Sequence, residues 1–156
     1  MLTQDEAERL IGMEKRFEDA VDFLLLPEPG QNLTFPLASL DGQESFLLDV
    51  RHGQLEESSP NKWRLQLRYG DEVLVRIETG GPAHRNADDA PTRRLSRYAG
   101  QRIQTPHIQM YIEGQDRPWA FPPPDEFTAL DDIVVTWREF LDYCGVIETP
   151  TPIGGV

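Results

Sequence analysis

The stretch from Trp63 to Glu78 limits what this chain can fold into more than any other. Trp63, Leu65, Leu67 and Tyr69 alternate with Arg64, Gln66 and Arg68; after Gly70-Asp71-Glu72, Val73, Val75 and Ile77 alternate with Leu74, Arg76 and Glu78. Period-two alternation marks a strand with one buried face. A slip of one residue would carry every apolar side chain to the wrong side, so the pattern selects its own register. Pairing Tyr69 with Val73 sets Leu67 opposite Val75 and Leu65 opposite Ile77. On the other face it sets Gln66 opposite Arg76 and Arg64 opposite Glu78, a favourable cross-strand charge pair. This register predicts a connection longer than two residues, because a two-residue loop mixes the faces. The resulting sheet has one core face and one polar, arginine-bearing face.

The remaining elements arrange themselves around that hairpin. Thr3-Gln4-Asp5-Glu6 fits a capping box, and Ala7, Leu10, Ile11, Phe17 and Val21 recur at helical spacing. Together they predict a helix that ends before Pro27-Glu28-Pro29-Gly30. Leu33, Phe35 and Leu37, then Asp41-Gly42, then Phe46 to Val50 read as a second hairpin, with Pro36 restricting its first strand to an edge or a bulge. Ile108, Met110 and Ile112 alternate with His107, Gln109, Tyr111 and Glu113, and Trp119-Ala120-Phe121 reads as a short strand stopped by three prolines. Asp131 or Asp132 caps a last helix that places Ile133, Val134, Trp137, Phe140, Leu141 and Cys144 on one face and stops at Gly145. The expectation is one α+β domain over residues 1–148, a mainly antiparallel sheet of about five strands with the N- and C-terminal helices packed on one face. Residues 149–156 read as a flexible tail.

Charge narrows the functions. Among 156 residues, 27 acidic against 15 basic give a net charge of -12. Such a field repels nucleic acid and acidic membranes as a whole and suits a basic partner. Cys144 is the single cysteine, so no intrachain disulfide forms; on its apolar stripe it reads as a small buried hydrophobe. No apolar run approaches a membrane span, and the N-terminus lacks the pattern of a secretory leader, so the cytoplasm is the expected compartment. Three histidines and one cysteine show no zinc spacing. There is no phosphate-binding glycine loop and no nucleophile elbow. No metal or cofactor is expected.

One segment departs from the acidic background. From His84 to His107, Arg85, Arg93, Arg94, Arg97 and Arg102 face only Asp88 and Asp89, five against two, or +3. The connection exceeds twenty residues, and long connections in compact domains are usually functional or disordered; Thr92 to Ala99 within it reads as a short helix. Three readings compete. The arginines pair with the acidic body or lie solvated. Alternatively, Arg93, Arg94, Arg97 and Arg102 form an anion site, for which guanidinium forks suit the geometry. In the third, His84 and His107 act as general base and acid on a phosphodiester, with Arg85 and its neighbours stabilising the transition-state charge.

Gly81-Pro82-Ala83-His84-Arg85-Asn86, Pro106-His107-Ile108-Gln109-Met110-Tyr111-Ile112-Glu113-Gly114 and Trp119-Ala120 resemble the motifs of a family of uncharacterised small bacterial proteins. Its members share the Leu-Thr-Gln-Asp-Glu-Ala start and a Phe-Leu-x-Tyr-Cys helix end, here Phe140 to Cys144, so the resemblance spans most of the chain. The family carries no assigned activity. The resemblance implies that His84, Arg85, Asn86 and His107 are the positions to test. It also implies a His-x-His pair after the proline, whose second position is Gln109 here. The function expected from the residues is a small interaction or regulatory protein binding a macromolecular partner, a protein first, with nucleic acid as a ligand of the basic loop. The alternative is a toxin-like, metal-independent nuclease or phosphodiesterase using His84, His107 and the loop arginines.

Overall fold

A computed structural model describes residues 1–54 and 61–154. In chain order the elements are α1 (Gln4–Gly12), β1 (Lys15–Phe17), β2 (Phe23–Leu25), β3 (Asn32–Ser39), β4 (Ser45–His52), β5 (Trp63–Tyr69), β6 (Glu72–Glu78), β7 (His84–Arg85), a 3-10 helix (Arg93–Tyr98), β8 (Arg102–Ile103), β9 (His107–Met110), β10 (Trp119–Phe121), α2 (Ile133–Tyr143) and β11 (Thr151–Ile153). Seven strands form one antiparallel sheet in the order β1-β3-β4-β5-β6-β9-β10. β2 with β11 and β7 with β8 make two small separate ladders. The architecture is α+β as the sequence predicts, with a wider sheet than the alternation alone reveals.

Register explains the two faces. Leu48, Leu67 and Val75 lie side by side across β4, β5 and β6, as do Val50, Leu65 and Ile77. All six are fully buried and share one core with Ala7 and Leu10 of α1 and Trp137, Phe140 and Leu141 of α2. The predicted pairs Leu67–Val75, Leu65–Ile77, Gln66–Arg76 and Arg64–Glu78 all form. The turn is nevertheless tighter than predicted, with Tyr69 pairing Glu72 across Gly70-Asp71. A bulge beside Leu67 and Arg68 resolves the conflict: an extra residue enters β6 at Leu74, which turns its side chain into the core next to Val75. One inserted residue restores the phase that the two-residue turn would have lost.

The first helix is shorter than its apolar pattern suggests. The Thr3–Glu6 capping box forms, but the helix stops at Gly12, and Phe17 belongs to β1 while Val21 is exposed. The cause lies at Lys15. Its side chain is fully buried, and its ammonium donates to the carbonyls of Ile11 at 2.9 Å, Met13 at 2.8 Å and Cys144 at 2.7 Å. Two of these acceptors close α1 and the third closes α2, so one cation meets the negative ends of both helices. The ring of Phe46 lies 4.7 Å away. Burial pushes the Lys15 ammonium down to about 8, while the three acceptors match its three donors. Gly145 makes the approach possible: its φ is +74°, and a Cβ there would sit 2.5 Å from the Met13 carbonyl oxygen.

After α2 the chain runs alongside β1 through Lys15 and Val146, and β11 then pairs in parallel with β2. The segment expected to be a flexible tail thus carries a strand, while residues 155–156 lie outside the described residues. Asp132 caps α2 through the amides of Val134 and Val135. Cys144 is buried and its thiol is pushed up to about 12 by burial, in keeping with a packing role. Among the described residues, no helix is long and apolar enough to cross a membrane.

Lys15→Ala should cost about 3 kcal/mol or more, because it strips three carbonyls of their donor, two of them in buried hydrogen bonds, and leaves a void. Lys15→Met, which refills the space without the donors, should recover only part of that loss. Urea unfolding of the two variants against wild type measures both.

Candidate functional site

The polar face of the sheet is organised as cross-strand rows. Thr34, Asp49, Gln66, Arg76 and Gln109 stand side by side on β3, β4, β5, β6 and β9. Their side chains join in an unbroken chain of hydrogen bonds. Thr34 donates to Asp49 at 2.7 Å, as does Gln66 at 2.7 Å; Arg76 Nε donates to Gln66 Oε1 at 2.8 Å and Arg76 Nη1 to Gln109 Oε1 at 3.3 Å. Arg68 adds a bidentate contact to Asp49. Burial alone would raise the Asp49 carboxyl, but hydrogen bonds from Arg68, Gln66 and Thr34 outweigh it and hold the group below the usual carboxylate range. Burial, with Arg64 nearby, pulls Arg76 below the usual guanidinium value.

The neighbouring row is Arg51, Arg64, Glu78 and His107. Gln109 joins it to the first: its Nε2 donates to Glu78 Oε1 at 3.0 Å and lies 3.0 Å from His107 Nε2. Because Gln109 Oε1 accepts from Arg76, its amide group faces the imidazole, and His107 Nε2 must accept. His107 Nδ1 then carries the proton and donates to the Ile103 carbonyl at 3.1 Å. Both ring nitrogens of His107 are therefore engaged, and the residue is fully buried.

His84 reaches the same place from the connection between β6 and β9. There β7 pairs with β8, setting His84 opposite Ile103 and Arg85 opposite Arg102. Thr105 Oγ1 donates to the Gly81 carbonyl and ties the two ends of the connection together. The His84 and His107 rings stand edge to face with centroids 6.3 Å apart. His84 is buried too, and its pKa is lowered by burial first, then by Arg117 and His107, while the Pro118 carbonyl opposes them.

Asn86 fastens the connection to the sheet. Its Nδ2 donates to the carbonyls of Ala120 at 2.9 Å and Tyr98 at 3.1 Å, and its Oδ1 accepts from the Ala120 amide at 2.7 Å. Buried to 1% exposure, it has the two-donor, one-acceptor geometry that these backbone groups require. Tyr98 packs edge-on against Phe121. The basic connection is thus an ordered strap, with a 3-10 helix where the sequence predicts a short helix.

The arginines point the other way. Arg93, Arg94, Arg97 and Arg102 are exposed, and among the described residues none has a carboxylate within 4.0 Å. Arg85 is exposed and pairs with Asp88 at 2.6 Å. Arg97 lies over the Tyr98 ring, 4.9 Å from its centroid. The predicted site residues therefore separate into an inward pair, His84 and His107, and an outward set of arginines. Two shallow grooves of about 160 and 210 Å³ cross the polar face. Arg51 and Arg64 line both, and neither histidine lines either. Among the described residues no three His, Cys, Asp or Glu side chains converge as a metal site.

Sequence reasoning places Arg68 and Arg76 on this face but overlooks Glu78 and Gln109 as neighbours of His107, and Arg51, which lines both grooves. The signal for Glu78 is its predicted position opposite Arg64, one strand from His107. Arg51 has no such signal, because the pairing of β4 with β5 is not legible from either strand alone.

The chain belongs to a family of unknown function, DUF6978, whose model matches residues 2–146. No curated protein and no solved structure matches it.

Asn86→Ala should cost about 2–3 kcal/mol, since it leaves buried backbone groups of Tyr98 and Ala120 unpaired. Hydrogen exchange should accelerate most over residues 84–103, with β4 to β6 remaining protected. Uniform acceleration across the sheet would contradict the clamp role.

Proposed function

We propose that this protein is a small acidic interaction protein of the cytoplasm that binds a macromolecular partner, itself a protein, with the arginine strap as part of the contact. One observation supports the reading above others: His84 of the strap and His107 of β9 face inward, while the strap's arginines face outward. A general acid or base must reach its substrate directly or through one water, whereas His107 has both nitrogens engaged and no open surface. Exposed guanidinium groups held on an ordered strap suit the carboxylates of a partner surface. A protein is favoured over nucleic acid because the net charge of -12 opposes a polyanion. In addition, the one aromatic ring on the strap, Tyr98, is packed against Phe121 and is not offered for base stacking.

The second reading, phosphodiester cleavage by His84 and His107, draws its support from the 6.3 Å separation of the rings. It requires the strap to open so that both imidazoles become accessible.

Replacing Arg93, Arg94, Arg97 and Arg102 together with glutamate should leave the melting temperature within a few degrees of wild type, as exposed substitutions usually do. Cross-linking in lysate, followed by mass spectrometry, should lose the partners that wild type captures through the strap. Capture of the same partners by both proteins would count against the strap as the contact. Cleavage of an RNA oligonucleotide panel by wild type, abolished by His84→Ala and by His107→Ala, would replace this reading with the second.

A further inference from the structure

Among the described residues, the small ladder of β2 with β11 has one open edge. Thr151 N–H donates to the Asp22 carbonyl at 2.8 Å and Leu26 N–H to the Ile153 carbonyl at 2.9 Å. In a parallel ladder, alternate residues turn both backbone groups to the same side. Asp22, Leu24 and Leu26 therefore face β11, while Phe23 and Leu25 direct N–H and C=O away from it. Among the described residues no hydrogen bond reaches those four groups. The outer edge of β11 is different: Pro152 occupies the outward-facing position and has no N–H to offer.

The open edge is also apolar. Phe23 and Leu25 are 63% and 65% exposed on one face of β2, and Ile153, opposite Leu25, is 49% exposed. With Val21, four of the six large exposed hydrophobics of the described residues lie in or beside this ladder. Leu24 and Leu26 anchor the strand in the core, so the exposed pair rides on a fixed backbone. A cluster of this kind marks an interaction surface more often than scattered single residues do.

Charge names the partner. Glu18, Asp19, Asp22 and Glu28 are exposed around β2, and Glu148 precedes β11. No lysine or arginine occurs between Phe17 and Val50, nor after Arg138. We propose that the open edge of β2 takes up an extended strand of a basic protein partner, by addition of that strand to the ladder. The backbone of Phe23 and Leu25 supplies the hydrogen bonds, their side chains meet apolar residues at alternate positions, and lysine or arginine beside those residues meets the acidic rim. A second copy of this chain is the wrong occupant, because it would bring two such rims together. This surface is built from other elements than the arginine strap and does not depend on it.

The test uses the full chain and a capped, fluorescent peptide of alternating valine and lysine, about ten residues long, followed by anisotropy. Saturable binding is expected, weakened about tenfold or more by Leu25→Pro, which removes an open donor without breaking an internal hydrogen bond. Phe23→Lys should weaken it similarly, as should N-methylation of alternate peptide amides with the protein unchanged. Absence of saturable binding would overturn the proposal. So would binding that Leu25→Pro and N-methylation leave intact, which is attraction to the acidic body as a whole. Equal affinity for a valine–glutamate peptide, or a wild-type dimer in light scattering that Leu25→Pro dissolves, would overturn it as well.

Discussion

Lys15 joins three parts of the molecule that are distant in sequence. Its ammonium holds the last turn of α1 and the end of α2 together, while its backbone pairs β1 with β3 on one side and with Val146 on the other. A buried charge is costly unless its hydrogen bonds are all made. Here three carbonyls, all at or near helix C-termini, meet that condition. The arrangement fixes where α1 stops and how α2 returns to the sheet edge, and so how both helices sit on Leu48, Leu65 and Ile77. The close passage of Gly145 over the Met13 carbonyl belongs to the same joint.

The sheet supplies the second constraint. Its core rows are aliphatic and its opposite rows are polar, and the bulge at Leu74 keeps the two in phase across a tight turn. Because β4, β5, β6 and β9 hold a common register, the side chains of Asp49, Gln66, Arg76 and Gln109 meet in sequence order of the strands and satisfy one another. Networks that are fully connected rigidify the structure that carries them. His107 stands at the end of this network, so its orientation is inherited from the sheet through Gln109 and from the strap through the Ile103 carbonyl. A glutamine can donate to both Glu78 and His107 at once, which makes this end of the network a locked joint in the present chain.

Much of this was legible from residues alone wherever short-range pattern decided the outcome. The β5–β6 register, the Thr3 and Asp132 caps, the helix before Gly145 and the short helix in the strap follow from alternation, capping chemistry and turn residues. The misread portions are those decided by long-range contacts. Nothing local distinguishes Lys15 from a solvated lysine on a helix, so the apolar spacing of Phe17 and Val21 extended α1 too far. A connection longer than two residues follows from phase, and the sequence offers no marker that a bulge absorbs the mismatch. Thr151-Pro152-Ile153 looks like a tail because its partner, β2, lies more than a hundred residues earlier. The histidines are legible as candidates, yet the direction of His107 depends on Gln109 and Ile103, which no spacing rule connects.

The central claim is that His84 of the strap and His107 of β9 turn inward for structure, while the strap's arginines turn outward for contact. It is tested most directly by nitrogen-15 NMR of the histidine rings, with and without inorganic phosphate and a uridine phosphate. The account predicts a His107 ring protonated at Nδ1, with Nε2 accepting a hydrogen bond, and ring resonances of His84 and His107 unmoved by either anion. A saturable shift of both rings on adding the nucleotide, or a His107 proton on Nε2 instead of Nδ1, would contradict it.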